Sequence, residues 1–146
     1  GNISECKAFY GMTSHAHGVD ADIQDEEDIY ESCKWLKEMA LNLGCVVVCS
    51  GKIDVITDGK EVNLISNGCE MLSRITGTGC MLNVAIATFL ASYSPLLACI
   101  KATCYYEVAA EKTECSGPGT FHVHFLDEIY KLTSFDESLF KIEVLG

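Results

Sequence analysis

An α/β fold is what this chain predicts, and three stretches carry the prediction. Ile29, Cys33, Leu36, Ala40 and Leu43 recur at helical spacing, and Gly44 follows as a helix stop. Cys45-Val46-Val47-Val48-Cys49 comes next, a continuous apolar run rich in β-branched residues, the pattern of a parallel strand buried on both faces. Ser50-Gly51 closes that strand at its carboxyl end, where open α/β sheets place their ligands. The third stretch is Ile75-Thr76-Gly77-Thr78-Gly79-Cys80, which runs straight into Met81 to Ala91, apolar on every face except for Asn83 and Thr88. Apolarity on all sides predicts a helix buried in a core.

The remaining elements follow in order. Gly1 to Gly11 reads as a short helix, with Asn2 and Glu5 at the spacing of a capping box. Met12 to Ala21 reads as a loop leading into a short extended segment. Asp25-Glu26-Glu27-Asp28 puts acid into a first helical turn, where the dipole favours it. Ile53 to Thr57 and Lys60 to Ile65 are strand-like and joined by Asp58-Gly59, a hairpin signal; Asn67-Gly68 makes another turn. Ser94-Pro95 supplies an N-cap and a proline at the first helical position, so a helix is expected from Pro95 to about Lys112. Gly117-Pro118-Gly119 breaks it. Phe121 to Phe125 alternates aromatic or valine with histidine, as a half-exposed strand would. Leu126 to Leu132 reads as a helical turn or two, and Phe135 to Leu145 as a closing amphipathic segment.

With 146 residues, 49% hydrophobic and 21% charged, the composition is that of an ordinary globular domain. A net charge of −11 argues against nucleic acid and anionic membrane partners. No apolar run approaches the roughly 20 residues of a membrane span. The nine cysteines contain no Cys-x-x-Cys, and an odd number of scattered thiols fits a reducing, cytoplasmic setting better than a disulfide framework. His15 with His17, and His122 with His124, are each spaced to share a strand face.

The glycine loop has two readings. The first-turn amides of the helix after it lack intrahelical partners and sit at the positive end of the macrodipole. Two glycines would let the backbone approach an anion, most often phosphate. The plainer reading is a glycine turn capped by Thr76 or Thr78. Any phosphate bound by so acidic a chain must be held by local amides, a metal ion or a few lysines.

Taken as an ordered set, Gly1-Asn2-Ile3-Ser4-Glu5, Gly18-Val19-Asp20, Ser50-Gly51-Lys52-Ile53-Asp54, Asn67-Gly68, Ile75 to Cys80 and Gly117-Pro118-Gly119-Thr120-Phe121 resemble one family. That family is the hydroxyethylthiazole kinases of thiamine salvage. The resemblance implies a ribokinase-like layered fold, a parallel central sheet with helices on both faces. Residues 1–146 would be a single domain of that kind, its C-terminal part, lacking the N-terminal part. It also implies ATP-dependent phosphorylation of the primary alcohol of 4-methyl-5-(2-hydroxyethyl)thiazole, with magnesium as cofactor and a homotrimeric assembly. Carried over residue by residue, the backbone of Gly77, Thr78, Gly79 and Cys80 forms the anion hole for the γ-phosphoryl group, and Gly77 also lies against substrate. Cys80 stands where more distant relatives carry an aspartate base. Ser50 matches a Ser or Thr that contacts ATP, and Asn2 and Glu5 match a motif associated with magnesium. The family's basic ATP contact before Gly1, an upstream metal-associated carboxylate and the residues enclosing the thiazole have no counterpart here. These 146 residues alone are therefore expected to show no turnover. The alternatives are a hydroxymethylpyrimidine-type kinase, which shares the Gly-Thr-Gly-Cys loop, and a non-catalytic assembly partner of a separate N-terminal chain.

Overall fold

The computed structural model describes residues 1–12, 28–131 and 136–145. The readings made on His15, His17, Gly18-Val19-Asp20 and Asp25 to Glu27 lie outside the described residues. In order the elements are α1 (Ile3–Tyr10), α2 (Ile29–Leu43), β1 (Val47–Cys49), β2 (Asp54–Thr57), β3 (Val62–Ile65), a 3₁₀ turn (Glu70–Arg74), α3 (Thr78–Phe89), α4 (Pro95–Lys112), α5 (Pro118–Lys131), a second 3₁₀ turn (Glu137–Leu139) and β4 (Ile142–Leu145). They form two compact units, the first from Gly1 to Leu64 with β4, the second from Ile65 to Lys141.

The first unit is a sheet with strand order β1-β2-β3-β4 and two helices. Asp28 caps α2 by accepting the Tyr30 amide at 2.8 Å, and Gly44 ends the helix. Cys33, Leu36, Met39 and Ala40 of α2 pack with Cys6 of α1 and with Val47, Cys49, Val55, Val62 and Leu64 of the sheet in one buried cluster. Of the helical stripe read from the sequence, Cys33, Leu36 and Ala40 are buried, Ile29 is half-buried against them and Leu43 is exposed. Between β2 and β3, Asp58 Oδ1 accepts the amides of Lys60 and Glu61, and the Thr57 hydroxyl donates to the Glu61 carbonyl. A side chain thereby holds the turn where the sequence places a hairpin.

The α/β class stands, but the pairing of β1 differs from the parallel arrangement expected. β1 runs antiparallel to β2, with Val47 opposite Thr57 and Cys49 opposite Val55. Only residues 50–53 connect the two strands, and a parallel connection requires a crossover of about a dozen residues or more. Among the described residues a parallel pairing is seen in the isolated bridge between Asn2 and Ser50.

The second unit is helical. Leu82 of α3, Tyr106, Ala109 and Ala110 of α4, and Phe121 and Phe125 of α5 make its core. The Phe121 and Phe125 rings stack at 5.3 Å, and Tyr106 meets Phe125 edge-on at 4.8 Å, both favourable aromatic geometries. This packing overturns the strand expected over Phe121 to Phe125. Pro118 instead begins a continuous helix, and the two phenylalanines four residues apart share one helical face, on which both are buried. The alternation with histidine was coincidental: His122 and His124 are exposed on that helix and do not share a strand face. α3 differs as well. Leu82 is its buried residue, while Val84 is 67% exposed, so an all-round apolar pattern does not here mean all-round burial.

Buried Asn67 ties the start of the second unit to its end. Its Oδ1 accepts the Lys141 amide at 2.7 Å, and its Nδ2 donates to the Leu139 carbonyl at 3.0 Å and to Glu111 Oε1 at 3.2 Å. Glu111 Oε1 also accepts the Gly68 amide at 2.9 Å and the Lys141 ammonium at 2.8 Å. Asn67→Ala would take a partner from the part-buried Lys141 amide and Leu139 carbonyl. It is expected to cost about 1–3 kcal/mol in chemical denaturation, and a loss below about 0.5 kcal/mol would show that the network holds nothing.

Candidate active site

The loop Ile75 to Gly77 delivers the chain into α3 with Gly77 as N-cap at φ +98°, a left-handed conformation that side chains disfavour. Among the described residues no side chain caps this helix. Neither Thr76 nor Thr78 does what the plainer reading of the sequence expects. The Thr78 hydroxyl instead donates to the Leu72 carbonyl at 2.9 Å, with a longer contact of 3.4 Å to Ile75. Side-chain donors and acceptors are thus drawn away from the first turn, whose amides keep the positive end of the macrodipole uncapped.

Gly79 sharpens the point. It lies within α3, it is not among the positive-φ glycines, and an added Cβ would meet nothing within 4 Å. Neither backbone conformation nor packing among the described residues requires glycine there, although glycine in a helix costs about 0.5–1 kcal/mol relative to alanine. Open space beside an uncapped turn suits a close-approaching ligand. Cys80 follows, exposed and without a disulfide.

A second group of the predicted residues lies in the first unit. Asn2 and Glu5 form the expected capping box: Asn2 Oδ1 accepts the Glu5 amide at 2.9 Å, and Glu5 Oε2 accepts the Asn2 amide at 2.8 Å. Ser50, at the carboxyl end of β1, bridges to Asn2. Its amide donates to the Gly1 carbonyl at 2.9 Å and its hydroxyl reaches the same carbonyl at 3.4 Å. Asn2, Glu5 and Ser50 are therefore brought together.

Two further features of this group were not picked out as site residues. Asp54, 2% exposed, accepts the Gly51 amide at 2.8 Å and so shapes the turn that carries Ser50. Cys6 and Cys49 adjoin Glu5 and Ser50, and the hydrogen bond between them favours a thiolate on Cys6 and holds the proton on Cys49. The signal for Asp54 was present in the stretch Ser50 to Asp54. Nothing in the sequence pairs the two thiols.

The donor set fits magnesium in one manner. Among the described residues no group of three or more His, Cys, Asp or Glu gathers to hold a metal ion. Magnesium keeps several waters and needs only one or two carboxylates beside phosphate oxygens. The Glu5 carboxylate, with one oxygen engaged by the Asn2 amide, suits an ion that arrives with a polyphosphate rather than a standing site.

Comparison with known proteins decides the kinship. The model of the hydroxyethylthiazole kinase family matches residues 1–135. The chain belongs to the hydroxyethylthiazole kinase family. It is 38% identical over 137 residues to hydroxyethylthiazole kinase 2 of Clostridium botulinum strain 657, covering 91% of this chain and 52% of that protein. It is 38% identical over 148 residues to the hydroxyethylthiazole kinase of Pyrococcus furiosus, covering 99% of this chain and 55% of that one. The solved hydroxyethylthiazole kinase of Pyrococcus horikoshii OT3 superposes with a TM-score of 0.74 at 31% identity, over 81% of this chain and 48% of that chain. The fold is therefore the ribokinase-like fold of that family. The chain spans about half the length of these relatives.

Within this hydroxyethylthiazole kinase family fold, the two loop glycines are separable by stability. Gly77→Ala forces a side chain into the left-handed region and is expected to cost about 1–2 kcal/mol. Gly79→Ala is expected to gain about 0.5–1 kcal/mol, since helix propensity rises and nothing is struck. Urea denaturation of both variants checks this. A destabilised Gly79→Ala would mean that the glycine serves the fold rather than a ligand.

Proposed function

We propose that the protein acts in the transfer of the γ-phosphoryl group of ATP to the primary alcohol of 4-methyl-5-(2-hydroxyethyl)thiazole. Membership of the family supports the reaction, and one observation supports its site: a glycine-flanked first turn that nothing among the described residues caps or fills. In this reading the amides of Thr78, Gly79 and Cys80 receive the phosphoryl oxygens as charge accumulates on them. Gly77 lies against the acceptor, Ser50 contacts ATP, and Asn2 and Glu5 serve the magnesium that neutralises the triphosphate.

The chemistry asks little of the protein beyond placement. The alcohol oxygen attacks the γ-phosphorus, the bond to the β,γ-bridging oxygen breaks, and ADP leaves with that electron pair. The Cys80 sulfur, required here as the thiolate, takes the alcohol proton and becomes the thiol. In a loose transition state little charge builds on the attacking oxygen, so the proton leaves late. Cys80→Ala should then fall near the low end of the range for a positioned base, about 10²-fold in kcat, with ATP binding retained.

A cytoplasmic setting is supported by nine cysteines that are all free thiols. No helix among the described residues is long and apolar enough to cross a membrane. Exposed Val84 and Leu90 on and beside α3, and Leu97 on α4, support self-association, read as the homotrimer that the family resemblance implies.

The test is ADP formation from ATP and magnesium by the protein from its source, with and without the thiazole alcohol. Thiazole-dependent ADP formation is expected, and its absence contradicts the proposal. Glu5→Gln in the same assay separates metal from capping. Gln still closes a capping box, so the melting temperature should hold while the magnesium concentration for half-maximal rate rises. An unchanged magnesium titration would leave Glu5 with its helix alone.

A further inference from the structure

We infer that Tyr106 is the positioning residue of the phosphate-binding turn, acting through the peptide between Thr78 and Gly79; this rests on the reading of that turn as the anion hole. Tyr106 lies on α4, 28 residues from Thr78 in sequence, and its hydroxyl donates to the Thr78 carbonyl at 2.9 Å. The side chain is 4% exposed, with Phe125 edge-on against its ring. Its phenol is therefore fixed in place rather than sampling water.

The carbonyl it holds belongs to the first residue of α3, and the other end of that same peptide unit is the Gly79 amide. A hydrogen bond accepted at a peptide oxygen withdraws electron density from the nitrogen and makes its N–H a stronger donor. Thr78 is held a second time through its own hydroxyl, on the Leu72 carbonyl at 2.9 Å. The peptide is thereby fixed in orientation from two sides, while Gly79 itself faces open space. A stronger, pre-aimed donor is what an anion hole requires, because donors that need no reorientation lose nothing when charge develops.

The proton stays on the phenol oxygen throughout. Burial, and secondly the neighbouring Glu107 carboxylate, push Tyr106 above its ordinary range. Tyr106 is thus a donor at neutral pH, and it never touches the reacting atoms.

Tyr105 supplies the control. Its hydroxyl donates to the Ile129 carbonyl, also at 2.9 Å, so Tyr105→Phe removes the same kind of bond from the same helix but away from the turn. The experiment titrates inorganic pyrophosphate into the protein from its source and its variants, followed by the amide resonances of Gly77 to Cys80, with thermal melts alongside. For Tyr106→Phe the expected outcome is a displaced Gly79 amide proton in the free chain and about 3- to 10-fold weaker pyrophosphate binding, with Tyr105→Phe binding as the parent does. Equal binding by Tyr106→Phe and the parent overturns the inference and leaves the anion hole standing. Equal weakening by Tyr105→Phe also overturns it, since general loosening would then suffice. No pyrophosphate response at the loop of the parent chain removes the anion hole, and the inference with it. Should Tyr106→Phe fail to fold, 3-fluorotyrosine in place of Tyr106 decides: a more acidic phenol must tighten pyrophosphate binding, and unchanged affinity rejects the role.

Discussion

The first turn of α3 is the constraint on which the account depends, because a helix start without a cap carries a standing cost. Its amides must find water or a ligand, and the usual remedy of a Ser, Thr, Asp or Asn side chain at the N-cap is worth about 1 kcal/mol. Here Gly77 occupies the N-cap, and the adjacent Thr78 hydroxyl is committed to the Leu72 carbonyl. The turn is nonetheless held firmly. Leu82, one turn into α3, is buried with Tyr106, Phe121 and Phe125, and the Tyr106 hydroxyl holds the Thr78 carbonyl. Rigid support behind and open space in front are what the proposed anion site requires.

An acidic chain is an unlikely host for phosphate if charge alone is considered, with a net charge of −11. In the proposed function backbone amides resolve the difficulty, since they would attract an anion locally without altering the net charge, and magnesium carried by a triphosphate would remove much of the remaining repulsion. The first unit carries the other residues of the proposal. A capping box places Glu5 at the head of α1, the Asn2–Ser50 bridge places Ser50 beside Asn2, and Asp54 shapes the turn that follows.

Much of this was legible in the sequence because it is local. The α1 capping box, the α2 stripe with its Gly44 stop, the hairpin at Asp58-Gly59, and the Ser94-Pro95 start of α4 all depend on residues within a turn of one another. What failed was set by packing at a distance. Phe121 to Phe125 satisfies period two as well as a four-residue spacing, and only burial of both rings against Tyr106 selects the helix. The apolar run of β1 says that it is buried, not which way its neighbour runs; the short connection to β2 decides that. Gly79 could be marked as unusual from spacing, but its freedom from any structural duty is visible only when the space around it is known. Tyr106 gave no sign at all, since its partner lies 28 residues away.

The most direct test of the central claim is a crystal structure of the protein with ADP, magnesium and a metal fluoride mimicking the γ-phosphoryl group. The account predicts the fluoride atoms at hydrogen-bond distance, about 2.7–3.2 Å, from the amides of Gly79 and Cys80 at the start of α3. A mimic bound elsewhere, with the first turn of α3 facing only water, would contradict it.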